Sequence, residues 1–271
     1  MTKSQLNLDG LVFDIDDSGP RDGPPVLLLH GFPHDSASWD GVVPLLNDAG
    51  LRTITVDQRG YSPGARPPAV DDYSMDKLVA DAIGVLDALG IERCLLVGHD
   101  WGGIIGWQLA ARHPERFTGY VAVSTGHASA ISEALEAASD QRERSSYISV
   151  FIAEGAEEKL LARNAVLLRR TCPRDAVVKM QEPGALTAAL NWYRATFSGD
   201  IASKMVCPRV VIPTTLVWSD GDTALGREQA EGSGAYVDAD YRFVELAGVD
   251  HWVPEKAPRE LADAIIARAA D

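Results

Sequence analysis

Basic side chains are scarce in this chain. Of its 271 residues, 25 are Lys or Arg against 39 Asp or Glu, a net charge of −14. No run of basic residues offsets that balance, so neither nucleic acid nor an anionic membrane is expected as a partner, because both are bound through basic patches. Cysteine is rarer still. Cys94, Cys172 and Cys207 are odd in number and widely spaced, which argues against a disulfide framework, a zinc site or a redox pair. Three reduced thiols are expected, with Cys94 serving as a small apolar residue in its strand. No apolar run is long enough to span a membrane, there is no internal repeat, and residues 1–10 lack the apolar core of a signal peptide. The expected location is therefore cytoplasmic. What is present is globular: hydrophobic residues make up 46%, enough to bury the core of one large α/β domain, with or without an insertion.

Strand and helix patterns alternate over most of the chain, the signature of a parallel sheet with helices on its faces. Strands are expected at 11–16, 25–30, 52–57, 93–98, 118–124, 214–219 and 241–246. Runs such as Val26-Leu27-Leu28-Leu29 are what strands buried on both faces look like. Helices are expected at 39–49, 75–89, 101–112 and 258–270. Between about 128 and 207 strand-like runs disappear, and helical patterns at 132–138, 145–153, 156–171, 174–181 and 184–197 take over. The expected organisation is a core of residues 1–127 and 208–271, with an inserted helical cap at 128–207 that excludes water from a site at the carboxyl ends of the strands.

The most informative run is Gly98-His99-Asp100-Trp101-Gly102-Gly103. It joins a buried strand to a helix, and its small residues permit the sharp turn of a nucleophile elbow. The residue at its centre is Asp100, a carboxylate that attacks to make an ester of the enzyme itself. On an ordinary ester such an attack gives an unstable anhydride. On an sp3 carbon bearing oxygen or halogen it gives an alkyl ester that water can later cleave, so the residue points to epoxide or carbon–halogen substrates.

Cleaving that ester requires an activated water, and His251, in Gly248-Val249-Asp250-His251-Trp252, follows the last strand and suits general-base work near neutrality. Asp220 and Asp222, just after a strand, compete to orient it. Asp222 is favoured because it lies further into the loop. Asp250, adjacent to the base, is expected either to raise its pKa or to compete for its ring. The backbone N–H groups of Phe32, in His30-Gly31-Phe32-Pro33, and of Trp101 are candidates for an oxyanion hole.

With these pieces in order, the chain resembles the α/β-hydrolase superfamily and, within it, the soluble epoxide hydrolases. His30-Gly31-Phe32-Pro33, the Asp100 elbow, Asn191-Trp192-Tyr193-Arg194 and Asp250-His251-Trp252 carry the resemblance along nearly the whole chain. It implies that Tyr193 and Tyr147 hydrogen-bond the epoxide oxygen and protonate it as the ring opens. Packing offers another reading, since Leu186, Leu190, Tyr193 and Phe197 share one helical face, as do Tyr147, Val150 and Phe151. Trp101, Phe32 and Trp192 are candidate substrate-lining residues.

The expectation is therefore an epoxide hydrolase with no cofactor and no metal, acting on a small apolar epoxide and water to give a vicinal diol. A hydrolytic haloalkane or haloacid dehalogenase with the same Asp100, His251 and Asp222 is the alternative, with the Trp101 indole N–H as a halide ligand. Phe32 speaks against it, because many dehalogenases have Asn there. A non-catalytic small-molecule binder is a third reading. A homodimer is compatible with the pattern, although nothing in it defines a dimer surface.

Overall fold

A computed structural model describes residues 3–137, 140–199 and 206–271. Among these, eight strands form one sheet in the order β1-β2-β4-β3-β5-β6-β7-β8. β1 (Lys3–Leu8) and β2 (Leu11–Ser18) make an antiparallel hairpin, and β2 runs antiparallel to β4 (Arg52–Val56). The hairpin turns at Asp9-Gly10, both with positive φ, a pair suited to the tight turn whose twist matches the strands. From β4 through β3 (Pro25–Leu29), β5 (Cys94–His99), β6 (Phe117–Val123), β7 (Thr214–Ser219) and β8 (Tyr241–Leu246), every pairing is parallel.

Alternation along the central strands divides the core in two. Leu27, Leu29 and Leu96 face one hydrophobic cluster while Val26, Leu28, Leu95 and Val97 face the other, as the two-residue period of a strand requires. The first is covered by α2 (Met75–Ala88) and α3 (Trp101–Arg112), the second by α1 (Val43–Asp48) and the terminal helix Pro258–Ala269. None of the described helices is long and apolar enough to cross a membrane.

The chain leaves β3 for β4 on one side and β5 for β6 on the other. The carboxyl ends of β3 and β5 therefore flank a topological switch point, where open α/β sheets form their binding crevice. Helices α4 (Ala128–Glu136), α5 (Gln141–Arg144), α6 (Tyr147–Phe151), α7 (Ala156–Ala165), α8 (Arg174–Met180) and α9 (Ala185–Phe197) lie between β6 and β7 in sequence.

Several elements differ from expectation. β1 was not anticipated, because Lys3-Ser4-Gln5-Leu6-Asn7-Leu8 offers only two apolar residues. The helix expected at 39–49 is a 3-10 turn, Ser36–Trp39, followed by α1. The helix expected at 156–171 breaks where Arg163, Asn164 and Ala165 take positive φ, and only a 3-10 turn, Leu168–Arg170, follows. The helix expected at 132–138 starts earlier, at Ala128, where His127 caps it by accepting the Ser129 N–H; Ala138 lies outside the described residues, as do positions 200–205 of the expected cap.

Candidate active site

Asp100 stands between β5 and α3 with φ 52° and ψ −116°, a backbone state that side chains other than glycine rarely adopt. Two glycines make it possible. A Cβ at position 98 would lie 2.2 Å from the Gly102 carbonyl oxygen, and one at 102 would lie 2.1 Å from the Leu29 carbonyl oxygen. The turn thus holds only if both positions lack a side chain. The Thr125 hydroxyl and the Ile104 N–H both donate to the Asp100 carbonyl at 3.0 Å, fixing the elbow to its helix and to the end of β6.

The loop after β3 brings backbone to the carboxylate. His30 Nε2 accepts the Gln58 N–H at 3.1 Å, and the Gln58 amide donates to the His30 carbonyl at 2.6 Å. Burial lowers the His30 pKa to about 3, so the ring is neutral and its Nδ1–H faces the Gly31 carbonyl. So anchored, the loop aims the Phe32 N–H at Asp100 Oδ1, 2.8 Å away.

His251 lies beyond β8. Its Nδ1 is 2.8 Å from Asp222 Oδ2, and its Nε2 is 3.6 Å from Asp100 Oδ2. Asp222 Oδ1 accepts the N–H groups of Ala224 and Leu225 at 2.8 and 2.9 Å. Of the two competing carboxylates it is Asp222 that meets the ring, while Asp220 accepts the Gly248 N–H. Asp250 turns to the Trp252 N–H at 3.0 Å and competes for neither nitrogen of His251. Behind this, the buried His99 ring donates through Nε2 to the His251 carbonyl at 2.9 Å; burial and the charge of His251 lower its pKa to about 4, keeping it neutral.

Burial by itself disfavours both carboxylates, but the hydrogen bonds and charge of His251 outweigh it and hold Asp100 and Asp222 below the usual range. Burial likewise opposes the His251 cation, yet Asp222 and Asp100 raise its pKa well above the ordinary value. All three shifts favour an imidazolium between two carboxylates.

Two cavities of about 900 and 460 Å³ meet at this group, and both are lined by Asp100, Tyr147, Tyr193 and Ala224. Tyr193 on α9 and Tyr147 on α6 pack edge to face, 6.3 Å between ring centres, and both line the two cavities. Burial pushes both hydroxyls up, with the Asp100 charge acting in the same direction, so both are protonated donors near neutrality. The Trp101 ring packs edge to face against Tyr193, 5.0 Å between ring centres. Phe32 lines the larger cavity and Trp101 the smaller. Trp192 lines neither. It is one position, about 100° of helix, from Tyr193; it is buried with its indole N–H on the Arg59 carbonyl at 2.9 Å and its ring edge-on to Tyr61 and Trp101. Two residues of α5 that sequence reasoning missed reach the Asp222 loop: Gln141, bonded to Ala224 and Gly226, and Arg144, which donates to the Asp222 carbonyl.

The arrangement joins a carboxylate on a strained elbow, a backbone donor for one of its oxygens, an Asp–His pair and two hydroxyl donors across a cavity. Such a set can form an ester on Asp100 and then direct water at it. The sheet and this site define an α/β hydrolase. Residues 24–149 match the family described as alpha/beta hydrolase fold. The chain is 32% identical over 269 residues to the AB hydrolase superfamily protein YfhM of Bacillus subtilis, covering 93% of this chain and 92% of that one. Epoxide hydrolase 3 of Xenopus tropicalis is 30% identical over 271 residues, covering 93% and 73%. Among solved structures, an inhibitor-bound epoxide hydrolase of Bacillus megaterium superposes with a TM-score of 0.90 at 25% identity, covering 99% of this chain and all of that one. One of the epoxide hydrolases from metagenomes of hot environments gives 0.88 at 28%, covering 99% and 98%. The chain belongs to the α/β-hydrolase superfamily, and within it is similar to epoxide hydrolases.

Proposed function

We propose that this protein is an epoxide hydrolase that converts an apolar epoxide and water into a vicinal diol through an ester on Asp100. The observation that carries the reading is the meeting of two protonated tyrosine hydroxyls and a carboxylate nucleophile in one cavity. Asp100 Oδ2 attacks an epoxide carbon while Oδ1 stays on the Phe32 N–H, with the Trp101 N–H as the second donor proposed for it. The C–O bond breaks, and Tyr147 or Tyr193 gives its proton to the departing oxygen. The ester has consumed the Asp100 charge, so the His251 pKa falls. The proton that His251 releases restores the tyrosine, whose burial opposes the anion. Neutral His251, held by Asp222, then takes a proton from water as its oxygen attacks the ester carbon. Charge developing on Oδ1 meets the same two N–H groups. Collapse expels the alkoxide, which takes the imidazolium proton to complete the diol, and the hydroxyl proton that water left on Asp100 passes to His251, restoring carboxylate and imidazolium.

Residues 128–207 act in this reading as the cap over a core of 1–127 and 208–271, supplying Tyr147 and Tyr193 and the walls of both cavities. Because the cavities meet at Asp100, an epoxide with a substituent on each carbon fills both, the smaller being walled by apolar groups such as Ile131, Leu135 and Phe197. Tyr193, edge to face with Trp101 at 5.0 Å between ring centres, occupies the space over that indole and favours the epoxide reading over a halide site there.

The test is product formation by the purified chain from a panel of apolar epoxides, with chloro- and bromoalkanes in parallel. Diol formed with one water per epoxide is expected. Halide release without diol would make the protein a dehalogenase, and binding without any product would make it a receptor.

A further inference from the structure

The turn that carries Asp222 has two sides. On the inner side, Asp222 Oδ1 takes up the N–H groups of Ala224 and Leu225. The Ala224 carbonyl and the Gly226 N–H are satisfied by one residue of another part of the chain, Gln141 on α5. Its Nε2 donates to the Ala224 carbonyl at 2.9 Å, and its Oε1 accepts the Gly226 N–H at 2.7 Å. Gln141 is 1% exposed, and Ser145 Oγ, 3.0 Å from Nε2, holds the amide in place. Arg144 on the same helix donates to the Asp222 carbonyl. Gly226 fits closely beneath them, since a Cβ there would lie 3.0 Å from Asp140 Oδ1.

Only an amide suits this place. It offers a donor and an acceptor at one end of a side chain, whereas a carboxylate lacks the donor and an apolar side chain lacks both. A half-buried carbonyl and a buried N–H left without partners are costly, so the turn would shift to find others. The Ala224 and Leu225 N–H groups that aim Asp222 would shift with it.

We infer that Gln141 is a positioning residue for the catalytic base: it grips both ends of the 224–226 turn, keeps Asp222 on His251, and thereby ties water activation to the seating of the helical segment. The inference rests on the proposed two-step mechanism. Ester formation uses Asp100 and the tyrosines, none of which Gln141 hydrogen-bonds in the contacts described. Ester hydrolysis uses His251 and needs Asp222 in place, so the loss of Gln141 falls on the second step.

Single-turnover kinetics of Gln141→Met with an epoxide that the wild-type protein hydrolyses separate the two. Ester hydrolysis is expected to slow about 10-fold or more, with ester formation within about 3-fold of wild type. In the steady state kcat and KM then fall together, and kcat/KM is held. Gln141→Glu, which keeps the acceptor for Gly226 but loses the donor to Ala224, is expected to be impaired in the same step. In an Asp222→Asn background Gln141→Met should cost nothing further, because both act through one group. Equal losses in both steps, including outright loss of ester formation, would mean that Gln141 only packs the helical segment. Unchanged hydrolysis, or a full additional loss on top of Asp222→Asn, would also overturn the inference. A wild-type protein that forms no ester fails the proposed function itself, and that result is read first.

Discussion

The Phe32 N–H donates to Asp100 Oδ1 at 2.8 Å, so one oxygen of the carboxylate is seated on backbone before any substrate arrives. The other, Oδ2, is the one that faces His251. The two oxygens are thereby distinguished in the resting protein. In the proposed mechanism Oδ2 becomes the ester oxygen, and Oδ1 needs no movement to become the oxyanion, which is how a preorganised site avoids reorganisation during reaction.

Gly31 is the residue that makes this seating possible. A Cβ there would lie 2.3 Å from both the Cβ and Oδ1 of Asp100, so Gly31→Ala must push the nucleophile off the Phe32 N–H. Ester formation is expected to fall about 10-fold or more because the nucleophile is displaced, and ester hydrolysis about 100-fold or more, in line with the loss of one oxyanion-hole donor. Because one clash is with the Asp100 Cβ, which the backbone fixes, the loop or the elbow must shift as well, and the melting temperature should fall. Calorimetry and single-turnover kinetics on the same preparation check both, and near-normal ester hydrolysis would mean that Oδ1 does not depend on this amide.

Tyr147→Phe and Tyr193→Phe should each slow ester formation about 10- to 100-fold, and the double variant about 1000-fold or more, within the range for general-acid catalysis. Hydrolysis of an ester already formed should be unaffected, because the hydroxyls act on the departing epoxide oxygen. If the tyrosines are only packing, the single variants will turn over normally with a lowered melting temperature.

The two steps should differ in pH dependence. Formation needs Asp100 ionised and a tyrosine protonated. Burial opposes the Asp100 anion, but His251 outweighs it and sets its pKa low, while burial sets the tyrosine pKa values high. The step should be flat across the neutral range. Hydrolysis needs neutral His251. In the free protein burial opposes the cation, but Asp222 and Asp100 raise its pKa; the ester removes the Asp100 contribution, so the pKa drops and hydrolysis should rise with pH through that lowered value. Rate constants for each step, measured from about pH 5 to about pH 9, test the sign. Hydrolysis that slows as pH rises would remove His251 as the base.

Ile131 on α4 lines the smaller cavity. Ile131→Trp should fill it and lower kcat/KM about 10- to 100-fold for epoxides substituted on both carbons, the order expected from denying several methylenes their burial. A terminal epoxide, whose substituent fits the larger cavity alone, should stay within about 3-fold, which also shows that the variant is folded. Equal losses on both substrates would mean that the two cavities do not receive the two substituents.

The central strands and the elbow were legible in the sequence because buried parallel strands are continuous apolar runs and because glycines at 98 and 102 have a steric reason to be there, while β2 and β8 showed as shorter runs of β-branched and aromatic residues. The hairpin strand β1 was not legible, since Lys3, Ser4, Gln5 and Asn7 give no apolar alternation. The choice of Asp222 over Asp220 follows from the loop's own hydrogen bonds: the Ala224 and Leu225 N–H groups hold Asp222, while Gly248 holds Asp220. Trp192 was a candidate for the substrate pocket whose facing the sequence left open; one step along the helix from Tyr193 turns its side chain away from both cavities. Gln141 carried no signal, for a single glutamine is unremarkable until the fold sets it against residues more than 80 positions away.

The most direct test is the intact mass of His251→Gln after exposure to an apolar epoxide, followed by peptide mapping. Without the base the ester should persist, so the protein should gain the mass of the whole epoxide, with the adduct on Asp100. A protein that turns the epoxide over in the wild-type form, yet shows no adduct in this variant or carries it on another residue, would contradict the ester mechanism.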